Sequence, residues 1–317
     1  MTTVTTSTDV AKPLHGAEAV KAVRSQFSSP VASILAIAIG VLWTIPTFGL
    51  FINSFRSKTD AATTGWWMFF VHPSFSIDGY RQVLTGQGGL FIPLVNSLAI
   101  TIPATIIPIF IASMAGYALA WMRFKGSDAI FFTLFALQVV PLQMALVPLQ
   151  QFYHKGLQFF GVTILPPPPL GHGVTGVMAQ IWISHTMFSL PLAVFLIHNF
   201  IAQIPGSLIE AAKIDGASDL RIYQSVVLPL SMPAIASFGI FQFLWVWNDL
   251  LVAKTFGGSD PAEQPVTARM QSLVGNFGAH QELLAPAGFL SIVVPLIVFL
   301  SLQRYFVRGL MAGSVKG

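Results

Sequence analysis

No cysteine occurs in the 317 residues, which removes disulfides, thiolate metal sites and thiol nucleophiles together and leaves the redox compartment open. Charge is almost as scarce. Asp, Glu, Lys and Arg make up 9% of the chain, where a soluble domain carries about a quarter. A phosphate-cradling glycine loop is missing, as is an internal repeat, and the seven histidines form no His-Glu-x-x-His pair. No metal ligand set, catalytic group or nucleophile–base arrangement is therefore expected. The formal charge of +4 is too dilute to read as a nucleic-acid footprint, so a nucleic-acid partner is not expected.

What fills the chain instead is apolar. Hydrophobic residues reach 54%, and the mean hydropathy is +0.72. Six stretches meet the roughly 20 apolar residues needed to cross a bilayer: Val31 to Ile52, Phe91 to Trp121, Ala129 to Gln150, Val174 to Phe200, Pro233 to Phe256 and Pro286 to Leu302. Runs such as "ILAIAIGVL" do not alternate, so these are helices and not barrel strands. The expectation is an all-α polytopic protein of six transmembrane helices, lying in a lipid bilayer. Residues 1–30 lack an apolar core and read as a polar, mobile cytoplasmic tail, not a cleaved signal peptide.

Orientation follows Lys and Arg. With the amino terminus inside, ten basic residues fall on inner segments and six on outer ones, Arg123 and Lys125 in a short turn among the ten. Both termini are then cytoplasmic. Ala112, Gly116 and Ala120 form a small-residue ridge for close helix packing. Pro103, Pro108, Pro141, Pro148 and Pro191 fall inside spans, where they bend helices around a cavity. Outside, "GWW" at 65–67 suits the membrane interface, and Pro166 to Pro169 make a stiff spacer.

Between the fourth and fifth spans lies "SLIEAAKIDGASDLRIYQSVVLP". Ser207 and Glu210 have capping-box spacing. Gly216 offers the positive φ that turns a chain out of a helix, and Ser218 and Asp219 can cap a second helix that breaks towards Pro229. The residues alone fit either a connecting loop or a small-faced plug for another protein's groove. Glu210-Ala211-Ala212, Gly216 six residues after the Glu, then nine residues before Val226-Val227-Leu228-Pro229 resembles the loop signature of ABC importer permeases. The family pattern expects Ile where Val226 stands. "NSLAITIPATIIPIFIASMAGYALA", "FLWVWNDLL" and "QRYFVRGLMAGSVKG" are similar to the carbohydrate-uptake branch, related to the smaller maltose-permease subunit.

That resemblance, over roughly 31–317, implies a type I importer permease bundle in the plasma membrane of a prokaryote. It implies a second, related permease, two copies of a cytoplasmic ATPase subunit and an extracytoplasmic solute-binding protein. ATP and Mg would be used by the ATPase, with no cofactor on this chain, which itself would not be an enzyme. The coupling loop at about 205–229 would place Glu210 on the ATPase, let Ala211 and Ala212 seat closely and turn at Gly216, with Leu228 and Pro229 closing the signature. The tail 303–317 would send Ser314, Val315, Lys316 and Gly317 towards the ATPases. The solute would be a sugar, tilting towards an α-linked oligosaccharide.

For the solute path, Gln242, Trp245 and Asp249 share one helix face, with Asn248 beside them. A flat ring beside an amide and a carboxylate suits a sugar. Gln242 is expected near mid-membrane, and Asn248 and Asp249 near the outer surface; Asp249 fits a solvated interface or helix packing, with solute contact as a further reading. Gln138 and Gln143 are further candidates, or partners for carbonyls freed by proline. An ion-coupled carrier is the rival reading, with Asp249 as the only acid in any expected span.

Overall fold

Inside a bilayer a helix satisfies its own amides, and the chain is helical almost throughout. The computed structural model describes residues 30–314 except 87–88, 123, 172, 258–259, 261 and 275–280; for 281 and 304–314 it describes the backbone alone. Helices α1 (Pro30–Ser54), α2 (Lys58–Thr63), a 3-10 turn (Trp66–Phe70), α3 (Asp78–Thr85), α4 (Phe91–Trp121), α5 (Ser127–Leu137) and α6 (Leu142–Lys155) come first. A hairpin of β1 (Leu157–Phe159) and β2 (Val162–Leu165) comes next. Then come α7 (Gly173–Ile201), α8 (Gly206–Ile214), α9 (Asp219–Ile222), a π-turn (Tyr223–Val227), α10 (Leu228–Trp247), α11 (Leu251–Phe256), α12 (Val266–Val274) and α13 (Gln281–Ser314).

The centre of the bundle is the parallel pair α4 and α7. Near one end, the Trp182 indole N–H donates to the Ala99 carbonyl at 2.9 Å. Near the other, the Trp121 indole donates to the Ile201 carbonyl at 3.2 Å. Gly116 lets the backbones meet between them: a Cβ there would stand 3.2 Å from the His198 nitrogen and 3.3 Å from its Cα. The small-residue ridge thus does what small residues do in lipid, where van der Waals contact has to replace the hydrophobic effect. Ala112 is fully buried in the same seam.

The third expected span is not a single helix. It is two helices, α5 and α6, meeting at 102°. Pro141 has no N–H and biases the residue before it away from helix, which breaks the run at 138–141. The pair still crosses. Phe131 packs on His198 near the end of α7, at 4.3 Å between ring centroids, whereas the Tyr153 hydroxyl bonds to Gln180 and Ser184 in its first half. α5 and α6 together therefore run the length of α7 in the opposite sense. With α1, α4, α7, α9–α10 and α13 this makes six crossings among the described residues, and residues 30 and 314 lie at the same end as the 202–218 loop.

Two span boundaries move. The fifth, expected from Pro233 to Phe256, is a rod from Asp219 to Trp247, after which the chain breaks and resumes as α11. The sixth, expected to end at Leu302, continues to Ser314, so the stretch assigned to a tail is helix up to that residue. Val315, Lys316, Gly317 and residues 1–29 of the amino-terminal tail lie outside the described residues.

At the end opposite the 202–218 loop, Arg56 organises the segment after α1. Its buried guanidinium donates to Asn53 Oδ1 and to the Thr64 and Gly65 carbonyls at 3.1 to 3.2 Å. The hairpin was not foreseen. Phe160 and Gly161 have φ of +49° and +79°, the paired positive values of a tight type I′ turn. Three buried clusters then fill the bundle: one around Ile197, Ile201 and Val227, one around Ile100, Ile181 and Val252, one around Val83, Trp247 and Val266.

Gly116→Leu is expected to lower the thermal unfolding midpoint in detergent, since overpacking costs about 1–3 kcal/mol. Gly40→Leu, where a Cβ meets nothing within 4 Å, should leave it unchanged.

Candidate functional site

Helix α8 begins two residues earlier than its sequence suggests. Pro205 occupies the N-cap and no side chain caps the helix. Ser207 is already inside the first turn, so the expected capping box with Glu210 does not form. Pro205 sets this start, because its fixed φ of −58° pre-forms the approach to a helix. The other end behaves as expected. Gly216 has φ +78°, its N–H donates to the Lys213 carbonyl at 3.0 Å, and the Ala217 N–H donates to Ala212 at 3.0 Å. These paired bonds are a Schellman motif. Ser218 then caps α9 by accepting the Arg221 N–H.

The second helix does not break at Pro229. It runs through a π-turn in which the Leu228 N–H reaches back five residues to Tyr223. That widened turn makes room for the Pro229 ring, whose clash with a preceding carbonyl would otherwise kink the helix. The rod is tied to α4 at its first turns: Tyr117 donates to Asp219 Oδ1 at 3.3 Å, and Ser113 and Tyr223 share a hydrogen bond of 2.7 Å.

On the bundle side, α8 is held by Ile209, 2% exposed, and by Ala212, half-buried against the same cluster. Glu210 and Ala211 face outward with Leu208 and Ile214, the last 85% exposed. Leu228 packs against the same inner cluster, while Pro229 is exposed.

The candidates for a solute path separate. Gln138 and Trp245 come together on a cavity of about 430 Å³ beside the break between α5 and α6. Val139, Val140, Leu142, Met187, Phe188 and Pro191 complete much of its wall, and no charged side chain lines it. Among the described residues, the carbonyls of 138–140 accept no backbone hydrogen bond, so they present free acceptors there. Neither those carbonyls nor Phe188 was singled out from the sequence; Pro141 was the signal that the backbone would open here.

Gln143 is exposed on α6 and away from this cavity. Gln242 is fully buried and donates to the Ala104 carbonyl at 3.1 Å, a helix-packing bond. Asn248 folds back on the Leu244 carbonyl of its own helix. Asp249 faces His185 with 3.6 Å between Oδ2 and Nε2, and accepts the Val252 and Ala253 N–H groups at 3.4 and 3.0 Å. Its level is that of His185, about 18 Å along α7 at 1.5 Å per residue, and not the outer surface. Trp245 alone of the fifth-span candidates reaches the cavity, because the rod's buried face turns Gln242 towards α4.

Residues 108–311 match the model of the binding-protein-dependent transport system inner membrane component family. The osmoprotective compounds uptake permease protein GgtD of Synechocystis is 46% identical over 289 residues, covering 89% of this chain and 91% of that protein. The alpha-glucoside transport system permease protein AglG of Rhizobium meliloti is 48% identical over 245 residues, 77% of this chain and 61% of that one. Among solved structures, a bacterial ABC transporter involved in import of the acidic polysaccharide alginate superposes with a TM-score of 0.60, covering 90% of this chain and 98% of that one. At 14% identity that likeness concerns the fold.

A Cβ added at Gly216 would have nothing within 4 Å, so a side chain there meets only the left-handed backbone penalty, about 1–2 kcal/mol. Gly216→Val should speed hydrogen exchange of the Ala217 amide roughly tenfold, and Gly216→Asn markedly less.

Proposed function

The chain belongs to the binding-protein-dependent transport system inner membrane component family, and we propose that it forms half of the translocation path of an ATP-driven sugar importer. The observation that carries this reading is the two-sided α8: Ile209 and Ala212 fix it to the bundle, while Leu208, Ala211 and Ile214 leave an apolar, small-bulked face beyond the spans. A helix outside the bilayer that keeps such a face exposed is shaped for another protein. That protein is a cytoplasmic ATPase, with Glu210 on its surface, and the excess of Lys and Arg on this end supports a cytoplasmic location. ATP and Mg belong to two copies of that ATPase, and this chain neither binds a cofactor nor performs hydrolysis. Helix α13 heads for the same end, and Ser314 at its close lies on the side where the ATPases would sit.

A second, related permease closes the open side of the cavity, and an extracytoplasmic binding protein delivers the solute to the other end. The solute is a sugar, in line with the α-glucoside in the name of one relative. Trp245 offers a ring to an apolar sugar face, and Gln138 with the carbonyls of 138–140 offers acceptors to hydroxyls. The ion-coupled alternative needs a carboxylate free to exchange its ion, and Asp249 is already engaged by His185 and two backbone amides.

In proteoliposomes with its ATPase, uptake should be sensitive to vanadate and insensitive to uncouplers. Glu210→Lys with Gly216→Pro should abolish it while the subunit remains in the membrane; ATP-driven uptake at the normal rate by that double variant sinks the coupling reading. Trp245→Ala should raise the half-saturating solute concentration about tenfold, the equivalent of about 1.4 kcal/mol. An unchanged affinity and rate would remove Trp245 from the path.

A further inference from the structure

The rod Asp219–Trp247 ends well inside the bundle, and the chain beyond it stays packed there. Asp249 ties three elements together at this point. Its carboxylate faces His185 on α7 and receives the Val252 and Ala253 N–H groups in the first turn of α11. Its carbonyl accepts the Thr267 hydroxyl of α12 at 2.6 Å. Both side chains of this contact are largely buried, at 3% and 11% exposure. The segment leading into α12 is clamped again on α4. Asn96 donates to the Ala262 and Gln264 carbonyls at 2.7 and 3.1 Å, and Ser97 Oγ accepts the Val266 N–H at 2.8 Å.

We propose that Asp249 is a positioning residue that passes motion of the 219–247 rod to the outer segment 262–274, so that the outer mouth follows the ATPase-docked helix α8. This rests on the importer reading above. The rod is continuous across both Pro229 and Pro233 and is about 43 Å long at 1.5 Å per residue, which makes it a stiff lever. Val266 and Leu273 also pack on the bundle, but apolar contact is non-directional and leaves a helix free to slide. Directional bonds fix its register. The Thr267–Asp249 bond, the Ser97–Val266 bond and the Asn96 clamp supply that register, and the first of them sits at the end of the lever itself.

A carboxylate is the side chain this joint needs. It accepts two amide donors and still faces an imidazole, all through its two oxygens. Alanine would leave the Val252 and Ala253 N–H groups and His185 without that partner at membrane depth, where unpaired polar groups are costly.

The absence of cysteine makes the test direct. Lys213→Cys on α8 and Gln271→Cys on α12, both exposed in this chain, each take a spin label in the assembled transporter with cysteine-free partner subunits. In the parent protein both labels should change on ATP binding and vanadate trapping. In Asp249→Ala the label at 213 should still respond, the change at 271 should fall at least about fivefold, and uptake at least about tenfold. Thr267→Val removes only the hydroxyl clamp; it should reduce the response at 271 in the same direction, and it decides the matter if Asp249→Ala fails to assemble. A response at 271 within about twofold of the parent in Thr267→Val, or in an assembled Asp249→Ala, overturns the proposal. So does loss at both labels together in the variants, which marks a general structural role. No response at 213 in the parent overturns the importer reading, and this proposal with it.

Discussion

A peptide group at membrane depth has no water to bond with, and this one constraint decides where the chain is allowed to stop being helical. Each irregularity within the spans is answered in its own way. The Pro229 ring is admitted by a π-turn that shifts the bonding to five residues, and the rod continues. At 248–250 the helix ends, and the backbone and side chain of Asp249 connect it to α7, α11 and α12. At 138–140 no device fills the gap. The carbonyls there stay open, and a cavity lies beside them. Backbone left unpaired in a bilayer is tolerated only where it lines protein or water, so the break and the cavity are two sides of one observation.

The same constraint explains the division of polar side chains. Gln242 meets a carbonyl of α4, Trp247 donates its indole N–H to Ser291, and Ser113 meets Tyr223. These groups hold helices together where the hydrophobic effect contributes little, since lipid is as apolar as leucine. What remains for a solute is sparse: one amide, one indole and a few carbonyls. In the proposed importer, a half-site of this kind is completed by a second subunit.

The loop end obeys different physics, because water is present. There Ile209 and Ala212 bury one side of α8 and the Schellman turn at Gly216 fixes its exit. Its outward face is left to be covered. In the proposed transporter, force enters at that face, and the tie from Asp219 and Tyr223 to α4 means that the rod and the bundle centre take it up together.

Much of this was legible from residue order. Long apolar runs with scarce charge require helices through lipid, and α4 matches its expected limits, Phe91 to Trp121, residue for residue. Glycine at 216 announces its own left-handed turn, because only the absence of a Cβ makes that backbone cheap. Local chemistry of this kind is carried by neighbours in sequence. What residue order left undecided were matters of facing and of competition. Gln242 and Trp245 share a helix face by spacing, yet one is buried on α4 and the other borders the cavity, since only the packed neighbour defines which side is inside. Asp249 stays open between solute contact, a solvated interface and helix packing until His185, far earlier in the chain, is brought beside it. Ser207 has the spacing of a cap, but Pro205 starts the helix first. Pro141 and Pro229 are the same residue type in apolar surroundings; one breaks its span and the other does not, because a π-turn absorbs the second and nothing absorbs the first.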